Sequence, residues 1–125
     1  MKTIPWLTPS NGVAAVTAPN VPLDYAAIAA AQQDDPELQR LRHGPTALRL
    51  KQFEVSGSPH KLWCDISCGQ PRPYIPQGHR QPLFMYFHSQ AHPGMKGTQR
   101  LIGKRAVWSA MRRDIQQWTR ACLTW

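Results

Sequence analysis

The sequence predicts an α+β fold, mainly α: a small three-helix bundle preceded by a helix and a short β-hairpin. Three observations predict it. Apolar residues recur at helical spacing through the last third of the chain. An Ala-rich stretch with start and stop signals of a helix lies near residue 25, and the pattern between the two alternates with period two. At 125 residues the chain is long enough for one ordinary core and too short for a second sizeable one, which excludes a multidomain enzyme.

Residues 1–22 mix Pro5, Pro9, Pro19 and Pro22 with Ser10, Asn11, Gly12 and Asn20, and read as a flexible leader. Residues 23–78 read as a helix plus β-hairpin connector. Asp24 is a good N-cap, Tyr25 to Gln33 is rich in the strongest helix former, and Gly44-Pro45 is a stop. One helix from about Tyr25 to Arg42 follows, unless Pro36 breaks it; Asp34-Asp35-Pro36-Glu37 could restart a second, with Asp35 capping. Leu48, Leu50, Phe53 and Val55, the turn Gly57-Ser58-Pro59, and Leu62-Trp63-Cys64-Asp65-Ile66 make a two-stranded hairpin. Pro71, Pro73 and Pro76 limit Tyr74-Ile75 to a short edge strand or connector.

Residues 79–125 form the bundle. Leu83, Phe87 and Ala91 fall at i, i+4 and i+8 with Phe84 and His88 beside them, and Pro82 suits a first turn. A second helix runs from about Thr98 to Lys104 around Leu101 and Ile102. In a third, which Ser109 can cap, Met111, Ile115, Trp118 and Cys122 form one stripe.

Fifteen Lys plus Arg against seven Asp plus Glu give +8 and favour anionic partners. Residues 79–125 hold +7 of it, through Arg80, Lys96, Arg100, Lys104, Arg105, Arg112, Arg113 and Arg120 against Asp114 alone; residues 1–78 are almost neutral. Neither a signal-peptide-like run nor eighteen consecutive apolar residues occur, so no membrane partner is expected. Cys64, Cys68 and Cys122 are too few and odd in number for a secreted disulfide scaffold, which points to a reducing, intracellular setting.

His88 and His92 stand four apart, a spacing that puts two imidazoles on one side of a helical turn, and Cys122 lies on the stripe of the last helix. Together they suggest a structural zinc site stapling a small core. Spacing alone leaves the plainer reading open, because such a histidine pair is more often surface or satisfied core than ligand. A C-x2-C pair would put the fourth ligand at position 125, where Trp125 stands. A second metal site at Cys64 and Cys68, with His60 and His79 nearby, competes with Cys64 as a small buried apolar side chain.

These residues resemble a known family. His88-Ser-Gln-Ala-His92-Pro93-Gly94, Thr98-Gln99-Arg100-Leu101-Ile102, Arg105-Ala106-Val107-Trp108 and Asp114 to Cys122 are similar to the H2C2 zinc-binding domain of integrases from Ty3/Gypsy-type LTR retrotransposons. In the Pol polyprotein that domain follows reverse transcriptase and RNase H and precedes the integrase catalytic core. Upstream, Asp24 to Arg42, Trp63 to Ser67 and Arg72 to Pro76 resemble the elements leading into it. The resemblance implies His88, His92 and Cys122 as Zn²⁺ ligands, with the fourth lost at Trp125. Ser109 and Ala110 depart from the family's usual Pro-Gly.

The expected function is therefore a non-catalytic zinc-binding, nucleic-acid-binding and assembly module acting in DNA integration. It would present Lys96, Arg100, Lys104, Arg105, Arg112, Arg113 and Arg120 to the phosphates of retroelement ends and meet other integrase protomers, in the nucleus. No nuclease or strand-transfer activity is expected, since the three carboxylates of the catalytic core are absent. The alternatives are a protein-interaction or spacer segment using Phe84, Trp118 and Trp125, or a decayed retroelement fragment. The end after Trp125 reads as a cut through a longer polyprotein.

Overall fold

The computed structural model of the chain describes residues 8–9, 24–91 and 95–122. Its described part is α+β and mainly α, as the sequence predicts. Asp24 opens α1 (Tyr25–Gln32), its carboxylate accepting from the Ala27 N–H at 3.1 Å. Tight bonds from Gln33, Asp34 and Asp35 N–H close that helix, and α2 (Pro36–His43) restarts it. The Asp35 carboxylate accepts from Leu38 N–H at 2.9 Å, with Pro36 in the first turn. The restart wins over one long helix because Pro36 has no N–H for an α1 ladder and the cap beside it is strong. Arg40, Arg42 and His43 close α2, where cations oppose the negative end of the helix dipole.

The hairpin is the centre of a larger sheet. β2 (Leu50–Glu54) and β3 (Leu62–Asp65) pair antiparallel from Leu50↔Asp65 to Phe53↔Leu62. Between them Gly57 takes φ 77°, a conformation that only glycine adopts cheaply. β4 (Arg72–Pro73) adds to the far side of β3, and β1 (Thr8–Pro9) adds to β2 opposite Glu54 and Phe53, in sheet order β1-β2-β3-β4. Part of the stretch read as a flexible leader thus forms an edge strand, the one place in a sheet where a proline fits. The rest of 1–22 lies outside the described residues.

β4 is too short to cover β3, and α1 completes the edge with a side chain. The buried Gln32 amide donates to Trp63 O at 3.0 Å and to Tyr74 O at 2.7 Å. Its Oε1 accepts from Trp63 N–H at 2.8 Å. Gln32 thereby acts as a peptide group would, pairing with both the N–H and the carbonyl of Trp63 and with the Tyr74 carbonyl.

The C-terminal helices are α3 (Gln77–Ala91), α4 (Met95–Gly103) and α5 (Met111–Cys122). Two expectations need correction. Pro82 is not in the first turn: α3 starts at Gln77, as soon as the extended chain ends at Pro76, so Pro82 lies inside the helix and forgoes one ladder bond. Leu101 is not core. It is 41% exposed while Ile102 is fully buried, because adjacent helical residues are about 100° apart and α4 turns one face inward.

One hydrophobic core runs through the described chain, from Ile28 and Leu38 through Phe53, Leu62 and Tyr74 to Phe84, Ile102, Trp108 and Ile115. Backbone pairing crosses the sequence position at 78/79 as well. Ile75 N–H donates to Val107 O at 3.0 Å, and Val107 N–H to Pro73 O at 3.1 Å. Arg72 adds a bond to Gly103 O at 2.9 Å, on the last residue of α4.

Arg72 also pairs at 2.7 Å with Asp65, whose side chain is fully buried. Burial pushes the Asp65 carboxyl up, but Arg72, the backbone N–H of Arg49, and the hydroxyl and N–H of Ser67 together hold it below its ordinary 3.8. A depressed folded-state pKa means that the unfolded chain takes up the proton first on acidification. The stability is therefore present above about pH 4 and lost as pH falls through the folded value. Asp65→Asn should cost about 3 kcal/mol at neutral pH and shrink the difference between urea unfolding at pH 6 and pH 3. An acid dependence identical to that of the unaltered chain would refute the assignment.

Candidate metal centre and basic face

His88 is on the inner face of α3 and 3% exposed. Its ring stacks on Phe84, one turn earlier, at 5.0 Å between centroids and 15° between planes. Nδ1 lies 3.0 Å from Oγ1 of Thr98, a fully buried residue of α4. Phe84 also meets Trp118 of α5 at 5.4 Å, and Trp118 meets Trp108 at 6.4 Å. This aromatic array brings the turn of α3 that holds His88 beside α5, whose last residue is Cys122, one turn beyond Trp118. Of the interaction residues expected from the sequence, Phe84 is buried and Trp118 is packed partly into the core. Trp125 is outside the described residues.

The donor chemistry at His88 suits zinc. A metal-ligating imidazole uses one nitrogen for the ion and holds its other to an oxygen of the surrounding shell, and Thr98 provides that oxygen. His92 lies outside the described residues, as does the side chain of Cys122, so His88 is the one expected ligand whose surroundings the structure defines. The competing site is not assembled. Cys64 is fully buried in the core, with its thiol pushed up by burial and by the neighbouring Asp65 charge. Cys68 is exposed, with Sγ 3.6 Å from Gln70 O. Among the described residues no group of three or more His, Cys, Asp or Glu could hold a metal ion.

All seven cations predicted to face phosphate are exposed: Lys96 and Arg100 on α4, Lys104 and Arg105 in the loop after it, and Arg112, Arg113 and Arg120 on α5. Lys96, Arg100 and Lys104 recur every fourth residue along one side. Among the described residues the one ion pair on this face is Arg113 with Asp114, wide at 3.7 Å and with the arginine exposed. Asp114 is also an anchor, since its Oδ2 accepts from the buried Trp108 indole at 2.9 Å.

Arg80 belongs to a different structure. Its Nε donates to Ile75 O at 2.8 Å. Its Nη2 reaches Glu37 of α2 at 3.0 Å and Tyr74 Oη at 3.1 Å, and its guanidinium lies 5.7 Å from the Tyr74 ring and 5.6 Å from the Trp108 ring. Tyr74 donates its hydroxyl to Glu37, and Ser109 also hydrogen-bonds that carboxylate. Burial raises the Glu37 carboxyl, but Tyr74 and Arg80 outweigh it and hold it below its ordinary 4.5; burial and Glu37 push the Tyr74 phenol far up. Ser109, foreseen as a cap for α5, thus links that helix's start to α2. Sequence reasoning missed this cluster because its members lie far apart in the chain.

A buried imidazole beside a buried hydroxyl lies at a junction of three short helices with a cationic outer surface. Residues 75–125 of the chain are similar to the family described as "Integrase zinc binding domain". Residues upstream of 75, including α1, α2 and the sheet, lie outside the match. No curated protein and no solved structure matches the chain.

Proposed function

We propose that the chain is a non-catalytic zinc-binding and DNA-binding module of a retrotransposon integrase of the Gypsy type, acting in the nucleus on retroelement ends and assisting protomer assembly. His88, His92 and Cys122 would hold the zinc, which when bound supplies a structural cross-link between α3 and α5. The protein's own part is to brace His88 through Phe84 and Thr98 and to hold α4 and α5 at a fixed angle, so that their cations meet a backbone together.

The observation that supports DNA binding best is the exposed set of seven cations with, among the described residues, a single wide ion pair. Each phosphate neutralised by such a group should contribute about −0.9 to the slope of log K against log salt. Fluorescence anisotropy with a duplex of mixed sequence should show affinity falling steeply between 50 and 200 mM salt. Replacing Lys96, Arg100 and Lys104 together by glutamine should weaken binding more than tenfold at low salt and flatten the slope by roughly three phosphates' worth. Binding that ignores salt and these substitutions would favour a spacer that meets protein rather than DNA.

A further inference from the structure

We propose that α5 is the base-reading helix of the chain: Arg113, Gln117 and Arg120 enter the major groove of duplex DNA and select guanine and adenine, while the cations of α4 hold the phosphates. The proposal rests on the DNA-binding reading above and adds which side chains carry sequence preference. Arg113, Gln117 and Arg120 stand at i, i+4 and i+7, on one stripe of the helix, and all three are exposed. The stripe lies opposite the inner face, where Ile115 is fully buried and Thr119 is buried beside it. From Arg113 to Arg120 the helix rises about 10 Å, the length of about three base pairs.

The two helices differ in side-chain type as the two tasks require. α4 carries Lys96, Arg100 and Lys104, and a lysine is a flexible point charge that meets a phosphate from many directions. The stripe of α5 carries two arginines and a glutamine. A guanidinium fork matches O6 and N7 of guanine, and a carboxamide matches N6 and N7 of adenine, each by two hydrogen bonds at once. Among the described residues the Gln117 and Arg120 side chains make no hydrogen bond or ion pair. The Arg113 side chain, 71% exposed, meets Asp114 at only 3.7 Å. A reading helix must also be held rigidly, and α5 is held from within: Asp114 Oδ2 accepts from the Trp108 indole at 2.9 Å, and Trp118 meets Phe84 of α3 at 5.4 Å. Asp114, the one acid of α5, stands off the stripe, so no carboxylate interrupts it. Charge complementarity makes a nucleic acid the occupant, and groove shape makes it DNA: the B-form major groove admits a helix, whereas that of an RNA duplex is too deep and narrow.

The test uses the full chain and, as probe, a pool of DNA duplexes with a randomised central stretch. Bound duplexes are sequenced, and fluorescence anisotropy then compares the enriched duplex with a scrambled one of equal composition. The expected result is enrichment of guanine and adenine within about three adjacent base pairs, and binding to the enriched duplex tighter by about tenfold or more. Arg113→Lys, Gln117→Ala and Arg120→Lys should each weaken the enriched duplex by about tenfold. The scrambled duplex and the salt slope should stay almost unaltered, because none of the three removes a charge. Replacing Lys96, Arg100 and Lys104 by glutamine should instead weaken both duplexes alike. Thermal melting checks folding, which substitutions at exposed positions should leave in place.

A pool without enrichment, or α5 variants that weaken both duplexes equally, would overturn the proposal and leave the DNA-binding reading intact. So would a preference that all three α5 variants retain, which would put sequence reading elsewhere on the chain or in the shape of the DNA. If one variant melts early, the other two decide. Failure of the unaltered chain to bind any duplex at low salt would bring down the DNA-binding reading and this proposal with it.

Discussion

Replacing Arg80 by methionine should lower the stability of the folded chain by about 3 kcal/mol, a fall of roughly 10 °C in the melting temperature of a domain this size. The substitution keeps most of the side chain's volume and removes its charge. It strands the Glu37 carboxylate, whose side chain is 31% exposed, and the Ile75 carbonyl, and it takes away the cation above Tyr74 and Trp108. Glu37→Gln should cost less, because an amide oxygen still accepts from Tyr74 and Arg80. The two changes together should cost less than their sum, since each disrupts the same cluster. Additive losses in chemical denaturation would mean that Arg80 and Glu37 act independently. The decrease should appear as one cooperative shift of the whole melting curve, because the cluster joins α2, the extended chain after β4, α3 and the start of α5.

How far the sequence discloses this molecule depends on the range of the interactions. Asp24 before Ala-rich residues, and Asp35-Pro36 three residues ahead of Leu38, act within one turn, and both appear as caps in the structure. The hairpin is similarly local, with Gly57 at its turn. Helical period marks the inner faces of α3 and α5, and the buried Phe84 and His88 lie where period places them. What pattern does not reveal is pairing at long range. Gln32 and Gln33 stand side by side at the end of an apolar Ala-rich run, and nothing local singles out Gln32, whose partners Trp63 and Tyr74 are 31 and 42 residues away. Arg80 enters a sequence tally as one more cation of a basic segment, although its guanidinium is inside and structural. Asp114 and Thr98 are hidden in the same way between charged or polar neighbours. Of the candidate ligands His88, His92 and Cys122, His88 alone has surroundings that the structure describes, and its contact with Thr98 emerges only when α4 is folded onto α3.

A chain shortened to residues 75–125, the segment that matches the zinc-binding family, should fail to give a cooperative melting transition even in excess zinc, whereas the full chain should give one. Three losses combine. Arg80 would keep its position on α3 without Glu37 or Tyr74 to neutralise and bond it. Val107 would lose its acceptor at Pro73, and Gly103 its donor from Arg72. Tyr74, Leu38 and Leu62 would be stripped from the shared core, leaving Ile75, Phe84, Trp108 and Ile115 of that same core uncovered on one side. A segment of about 50 residues buries too little surface to tolerate such losses. Zinc could offset them in a site with four protein ligands, but Trp125 stands where the fourth is expected. Circular dichroism melts with and without chelator, together with amide shift dispersion, measure the outcome. A sharp zinc-dependent transition and a dispersed spectrum from the short chain would show that the metal alone organises α3 to α5. In that case the contacts with α2 and the sheet would only orient a module that is already folded.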